Sequence, residues 1–241
     1  MAEIITILSG KGGTGKTLFA VNIGVFLALR GKRVLIMDGN FQARGVDLAL
    51  GMEGRVVYDM VDVLNGDCRI RQALTRNKKY ENLYILEPPI VKKGGGISLL
   101  EFSVLMDRVR EDFEYVILDS SSASTAVSEG LGLRGDKVLM VTTQDPISVR
   151  AGQSLAGTLK ARGVKEISLV VNQVKIKLTD KGYLTDVEEI AEGFGVDVCG
   201  VIPYDDSMHV AFNNGQATVG MEDSAAAEHL TRVIQRFLLT E

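Results

Sequence analysis

Residues 9–18 read SGKGGTGKTL, between a short apolar run, IITIL at 4–8, and a helix-length stretch that opens TLFAVNIG. Gly10, Lys11, Gly12, Gly13, Thr14, Gly15, Lys16 and Thr17 satisfy G-x-x-x-x-G-K-[ST]. They do so in the strand-then-helix setting that gives this pattern its meaning. The glycines let consecutive backbone N–H groups turn inward around phosphate oxygens. The helix that starts at the loop's end, through Leu18, adds the partial positive charge of its N-terminus. In such a loop Lys16 reaches the β- and γ-phosphates of a nucleotide, and the Thr17 hydroxyl ligates Mg2+.

A chain with this loop after its first strand is expected to alternate strands and helices. The pattern bears that reading: IITIL (4–8), RVLIMD (33–38), LYILEP (83–88), YVILDS (115–120), KVLMVTT (137–143), ISLVVNQ (167–173) and VCGVIP (198–203) are continuous apolar runs. Runs of this kind suit strands buried on both faces. Between several of them lie stretches that read as amphipathic helices, TLFAVNIGVFLALRG with Gly31 as its stop, and SLLEFSVLMDRVRED. The fold class predicted is α/β, a mostly parallel twisted sheet flanked by helices on both faces, the P-loop NTPase fold. With no internal repeat or Pro/Ser linker, and only KKGGGIS (92–98) looking loop-like, residues 1–241 are expected to form a single domain.

Composition narrows the function classes. The chain is 46% hydrophobic and 24% charged, and its net charge of −4 argues against bulk nucleic-acid binding as its main task. Lys175, Lys177 and Lys181 are close in sequence and read as a solvated loop. Cys68 and Cys199 stand far apart with no CxxC, as expected of reduced structural thiols in a cytoplasmic protein. No charged leader precedes an apolar stretch, and no apolar run approaches the roughly 18 residues of a membrane span. In the tail EHLTRVIQRFLLTE, Leu230, Val233, Ile234, Phe237 and Leu238 share one helical face, which predicts packing on the core.

The lysine at the start of the loop, in KGGTGKT, resembles the signature of the MinD/ParA family of deviant Walker A ATPases, which includes relatives such as the nitrogenase iron protein. The resemblance spans nearly the whole chain. MDGNFQARGVDLALGM is similar to the segment that runs D-x-D through L-D-x-x-L-G. YVILDSSSAS occupies the Walker B and switch II position, and VTTQDPISVRAG resembles V-T-x-P-E-x-x-S-V-R-D. VVNQV and GVIPYDDSMHVAFNNGQATV resemble the nucleobase-side motifs. MinD-type members look more similar than ParA-type ones, which often carry extra N-terminal DNA-binding segments.

The resemblance implies ATP and Mg2+ as ligands and an ATP-dependent homodimer. In it Lys16 serves the chain's own nucleotide, while Lys11 reaches the phosphates bound by the other subunit. Asp119 would hold Mg2+ through water, and Asp38 would orient metal-bound water. Asn172 and Pro203 would frame the adenine, with Asp205 on the same rim. The output would be binding of a protein partner in cell-division site selection or another positioning task. The chain's end at Glu241, still within the helical tail, lacks the family's short basic amphipathic segment, so direct membrane binding is not expected of it.

Two departures bear on turnover. The family places a second aspartate two residues after the one matching Asp38; here Asn40 stands there. Asparagine accepts a hydrogen bond from water but takes no proton. After Asp119 the run Ser120–Ser124 replaces a proline-containing switch, and Leu18 replaces a threonine common in the family. Lys11, Lys16, Asp38 and Asn40 are therefore the candidate catalytic residues, in an ATPase that Asn40 slows or in a nucleotide-locked binding module. A cluster-carrying reductase would need well-placed paired cysteines, and a small-molecule kinase or ligase an acceptor pocket.

Overall fold

The computed structural model describes residues 1–41, 44–90, 97–120, 125–222 and 224–239, with the side chains of 125–128 outside the description. In chain order, β1 (Glu3–Leu8) leads into α1 (Lys16–Leu29) and β2 (Val34–Gly39). Three short helices follow, α2 (Val46–Ala49), α3 (Met60–Asn65) and α4 (Ile70–Ala73), then β3 (Thr75–Arg76) and β4 (Leu83–Leu86). Next come α5 (Leu99–Val109), β5 (Tyr115–Ser120), α6 (Thr125–Gly132), β6 (Lys137–Thr142), α7 (Pro146–Ala161) and β7 (Ile167–Val174). The last elements are α8 (Ile176–Thr179), α9 (Val187–Phe194), β8 (Asp197–Pro203), α10 (Asp206–Asn213) and α11 (Ala225–Leu239).

Eight strands form one sheet in the order β3-β4-β2-β5-β1-β6-β7-β8, parallel except for the β3–β4 pair. Strand residues alternate between two packed layers. Ile5, Ile7, Ile117, Leu139 and Val170 join a core with α1 and α11. Ile4, Leu35 and Leu118 pack with Phe102 and Leu105 of α5, and Leu8, Val138 and Met140 pack with Leu155 of α7 and Phe194 of α9. The seven expected strands are all present. β3, two residues long, has no periodicity by which to find it.

One helix differs from its expectation. α1 is buried on every face from Phe19 to Ala28, not amphipathic. It lies between the sheet and a cover made by α2 and the 3-10 turn Thr218–Gly220, whose Val219 N–H donates to Asn22 Oδ1 at 2.9 Å, and α11 joins the same core. The tail helix packs as expected, with Leu230, Val233, Ile234 and Phe237 buried and Leu238 partly so. Lys175, Lys177 and Lys181 are exposed on and beside α8. Cys68 and Cys199 are free, and burial pushes the Cys199 thiol up to about 12. Among the described residues no helix is long and apolar enough to cross a membrane. Of KKGGGIS, residues 92–96 lie outside the described residues; Ser98 caps α5 in a reciprocal box with Glu101.

Candidate nucleotide site

Parallel register brings three strand ends together. Ile7 of β1 and Asp38 of β2 both pair with Asp119 of β5. The strand order reverses at β1, with β1 leading to β2 on one side and β5 leading to β6 on the other, and in such sheets ligands bind beyond the carboxyl ends at that point. The Gly10–Thr17 loop leaves β1 there. Gly13 and Gly15 have φ of +78° and +106°, which glycine adopts without a steric penalty. Gly15 is the N-cap of α1, and it has no side-chain acceptor to offer the first-turn amides. The first turn of α1 also has no acid. These N–H groups are therefore oriented for an anion.

The charged groups are held by specific partners. Lys16 is buried, and its ammonium donates to Ser9 Oγ at 2.8 Å. Burial lowers the Lys16 pKa, opposed by the nearby Asp119 charge. The Thr17 hydroxyl donates to Asp119 Oδ2 at 2.6 Å. Asp119 Oδ1 is buried with no hydrogen-bond partner among the described residues, as are Thr14 Oγ1 and Ser120 Oγ. Burial, then repulsion from Asp38, pushes the Asp119 carboxyl up to about 7. A hard cation beside Thr17 and Asp119 would satisfy that orphaned oxygen and offset the repulsion, so this donor set fits Mg2+.

Asp38 stands beside Asp119 in register at the same edge of the sheet. It is fully buried and both its oxygens already accept backbone N–H groups: Oδ1 from Asn40 at 2.7 Å, Oδ2 from Gly45 at 2.9 Å and Val46 at 3.3 Å. It therefore holds both ends of the loop that follows β2. Asn40 lies on the wall of a cleft of about 320 Å³ that also meets Gly12, Gly13, Gly15, Lys16, Thr17 and Leu18. Gly10 lies beneath, packed so closely that a Cβ would come within 2.3 Å of Gly152 N.

Asn172, Pro203 and Asp205 line the far end of the same cleft. The Asn172 amide donates to Thr14 O at 2.8 Å, bracing the phosphate loop as well as facing the cleft. The β7–β8 register shifts between Val171 and Val174, and Gln173 has φ of +57°. Such irregularities re-aim side chains at a strand's end. Asp205 caps α10 through Ser207 N at 2.8 Å. Met208, His209 and Phe212 of α10 complete this end and were not among the expected residues.

Lys11 does not extend free into solvent. Its ammonium is 3.0 Å from Asp145 Oδ1, the N-cap of α7. Beneath the Asp38 loop, Arg44 pairs with Asp47 and lies 3.3 Å from Glu87 Oε2. Burial first, then repulsion from Asp38 and Asp47, raises the Glu87 pKa well above the usual range, with Arg44 opposing. Ser9, Arg44, Glu87 and Asp145 were also missed from the sequence. For Glu87 the signal was available, since it follows a buried strand just as Asp38 and Asp119 end theirs. Residues Ser121–Ser124 of the serine-rich switch lie outside the described residues.

Residues 5–219 match the family described as the CobQ/CobB/MinD/ParA nucleotide binding domain. The septum site-determining protein MinD of Bacillus subtilis (strain 168) is 32% identical over 243 residues, covering 100% of this chain and 90% of that protein. The Helicobacter pylori MinD is 31% identical, covering 99% and 91%. In three dimensions the chain resembles the MinC:MinD cell division protein complex of Aquifex aeolicus at a TM-score of 0.87. That likeness has 28% identity and covers 100% of this chain and 97% of the other. With the phosphate loop, the paired strand-end carboxylates and the full-length likeness in agreement, this chain belongs to the CobQ/CobB/MinD/ParA nucleotide-binding family, in its MinD/ParA branch of ATPases.

Proposed function

We propose that the protein binds ATP with Mg2+, dimerises in its ATP state and hydrolyses ATP to control binding of a protein partner. The task would be division-site selection or another positioning role in the cytoplasm, with residues 1–241 acting as one unit. The observation that carries the reading is the joint placement of Lys16, Thr17 and Asp119 around an orphaned carboxylate oxygen, with a second lysine, Lys11, at the rim.

In this reading the Gly10–Thr17 amides and Lys16 hold the phosphates, and Lys16 exchanges its bond to Ser9 for phosphate oxygens. Thr17 and, through water, Asp119 would hold Mg2+, which would neutralise charge on the transferring phosphoryl group. Asp38 keeps the following loop in place, so that Asn40 faces the γ-phosphate side and orients the attacking water. Asn172, Pro203 and Asp205 frame the adenine. Lys11 leaves Asp145 to reach the phosphates of a second subunit, a cation supplied in trans. The overall negative charge favours a protein partner over nucleic acid or membrane.

Asn40 favours a second reading, a nucleotide-locked binding module with little turnover. Solution mass followed over time after adding Mg-ATP, against Mg-ADP, separates the two. A dimer that forms and decays as ATP is consumed supports the switch. A dimer that persists for hours supports the latch. A monomer under ATP overturns the in-trans role of Lys11.

A further inference from the structure

Glu87 has no place in the roles above, yet it is fully buried beside them. Met37 pairs with Leu86, so Asp38 and Glu87, the residue that follows β4, come next. Neither Glu87 oxygen has a hydrogen bond among the described residues. A buried carboxyl group left in that condition is costly. Its close polar neighbour is Arg44, whose Nε lies 3.3 Å from Oε2. Arg44 is itself nearly enclosed, with 9% of its side chain exposed, and is shared with Asp47 of α2.

We propose that Glu87 is a positioning residue that acts through Arg44, seating the loop from Asp38 to Val46 so that Asn40 stays at the cleft wall. Asp38 holds the two ends of this loop, at Asn40 and at Gly45–Val46. Arg44 fixes the second of these ends: toward α2 it reaches Asp47, and toward the sheet it reaches Glu87. Without Glu87 the guanidinium keeps only the Asp47 anchor, three positions along the same segment, and the link from loop to sheet is lost. An asparagine that acts by orienting water depends on such seating more than a strong base would, because small misplacements of a catalytic group cost up to about 100-fold in rate.

The inference rests on the ATP-hydrolysing reading above, and its test includes a readout independent of turnover. Glu87→Met keeps the volume and removes the acceptor; Glu87→Gln keeps an acceptor oxygen for Arg44. In the full chain, Glu87→Met is expected to lower kcat for ATP about tenfold while nucleotide affinity stays within about twofold. Trypsin cleavage after Arg44, read by the mass of the 1–44 fragment, should accelerate in the same variant. Glu87→Gln should restore both most of the way. Wild-type kcat together with undiminished protection at Arg44 in Glu87→Met overturns the proposal. So does equal impairment of Met and Gln variants with parallel loss of nucleotide affinity, which marks a merely structural role. If Glu87→Met does not fold, Glu87→Gln and Glu87→Asp are compared instead, and faster cleavage in the shorter Asp variant alone is the supporting result. If the wild type itself does not turn over ATP, the hydrolysis reading fails, while the cleavage assay still decides the role of Glu87.

Discussion

Lys11 Nζ and Asp145 Oδ1 lie 3.0 Å apart, and their side chains are 43% and 41% exposed. Ser148 N–H first, and Lys11 second, hold the Asp145 carboxyl below the usual range. A pair this open to water is weakly held, so it parks the lysine without locking it. Asp145→Ser retains a capping acceptor for α7 and removes the competing charge. It is expected to tighten Mg-ATP-dependent dimerisation several-fold. Lys11→Ala should leave nucleotide binding by the monomer within a few-fold of wild type and abolish the dimer. Light scattering with titration calorimetry checks both, and an undiminished dimer in Lys11→Ala contradicts the in-trans role.

Asn40 shares the cleft wall with Lys16 and Thr17, so a carboxylate there would line the same cleft. General-base groups commonly contribute about 100- to 10,000-fold. Loose phosphoryl transfer makes less use of a strong base. Asn40→Asp is therefore expected to raise kcat by about 10- to 100-fold, at or below the lower limit of that range, with little change in nucleotide affinity. Single-turnover phosphate release measures it. An unchanged rate would place the limiting step elsewhere, in the serine-rich switch after Asp119 or in product release.

Legibility in the sequence followed physical reach. The seven longer strands were readable because each is a continuous apolar run buried on both faces, and the phosphate loop because its pattern is local. Asp38 and Asp119 were readable as carboxylates that end such runs, although Asp38 turned out to spend both oxygens on its own loop. The all-round burial of α1 was not readable, because it depends on a cover from the 3-10 turn Thr218–Gly220, some 200 positions later. Lys16–Ser9 is local and was still missed, since a hydroxyl's choice of donor follows from loop shape. Lys11–Asp145 and Arg44–Glu87 join segments distant in sequence, and nothing in either segment alone marks its partner.

The loop glycines separate two physical causes. Gly13 has φ of +78° and open space around its absent Cβ, so Gly13→Ala meets backbone strain alone, about 1–2 kcal/mol. Gly10 has no positive φ, but a Cβ there would sit 2.5 Å from Ala151 C and 2.3 Å from Gly152 N, backbone atoms that no rotamer change can move. Gly10→Ala is expected to cost about 3 kcal/mol, the upper end for overpacking, by forcing α7 away from the loop. Urea denaturation of the nucleotide-free proteins ranks them, and a Gly10 variant as stable as the Gly13 variant would mean that α7 shifts freely.

Asp119 makes stability depend on pH with a definite sign. Its folded pKa is raised to about 7, mainly by burial and then by Asp38, with Thr17 and Lys16 opposing. In the unfolded chain an aspartate titrates near about 3.9. Between these values the folded protein keeps a proton that the unfolded chain has released. The stabilisation is therefore complete below the lower value and is lost as pH rises through about 7. The slope approaches about 1.4 kcal/mol per pH unit. Asp38 and Glu87, also raised by burial, act in the same direction. The urea midpoint of the nucleotide-free protein should fall from pH 5 to pH 7.5, and Asp119→Asn should flatten part of that fall while retaining an acceptor for the Thr17 hydroxyl. Saturating Mg2+ with nucleotide should flatten it too, because positive charge beside Asp119 favours the ionised form. Identical pH profiles for wild type and Asp119→Asn would show that the carboxyl is already ionised in the nucleotide-free fold and that its neighbours, not this oxygen, set the local charge.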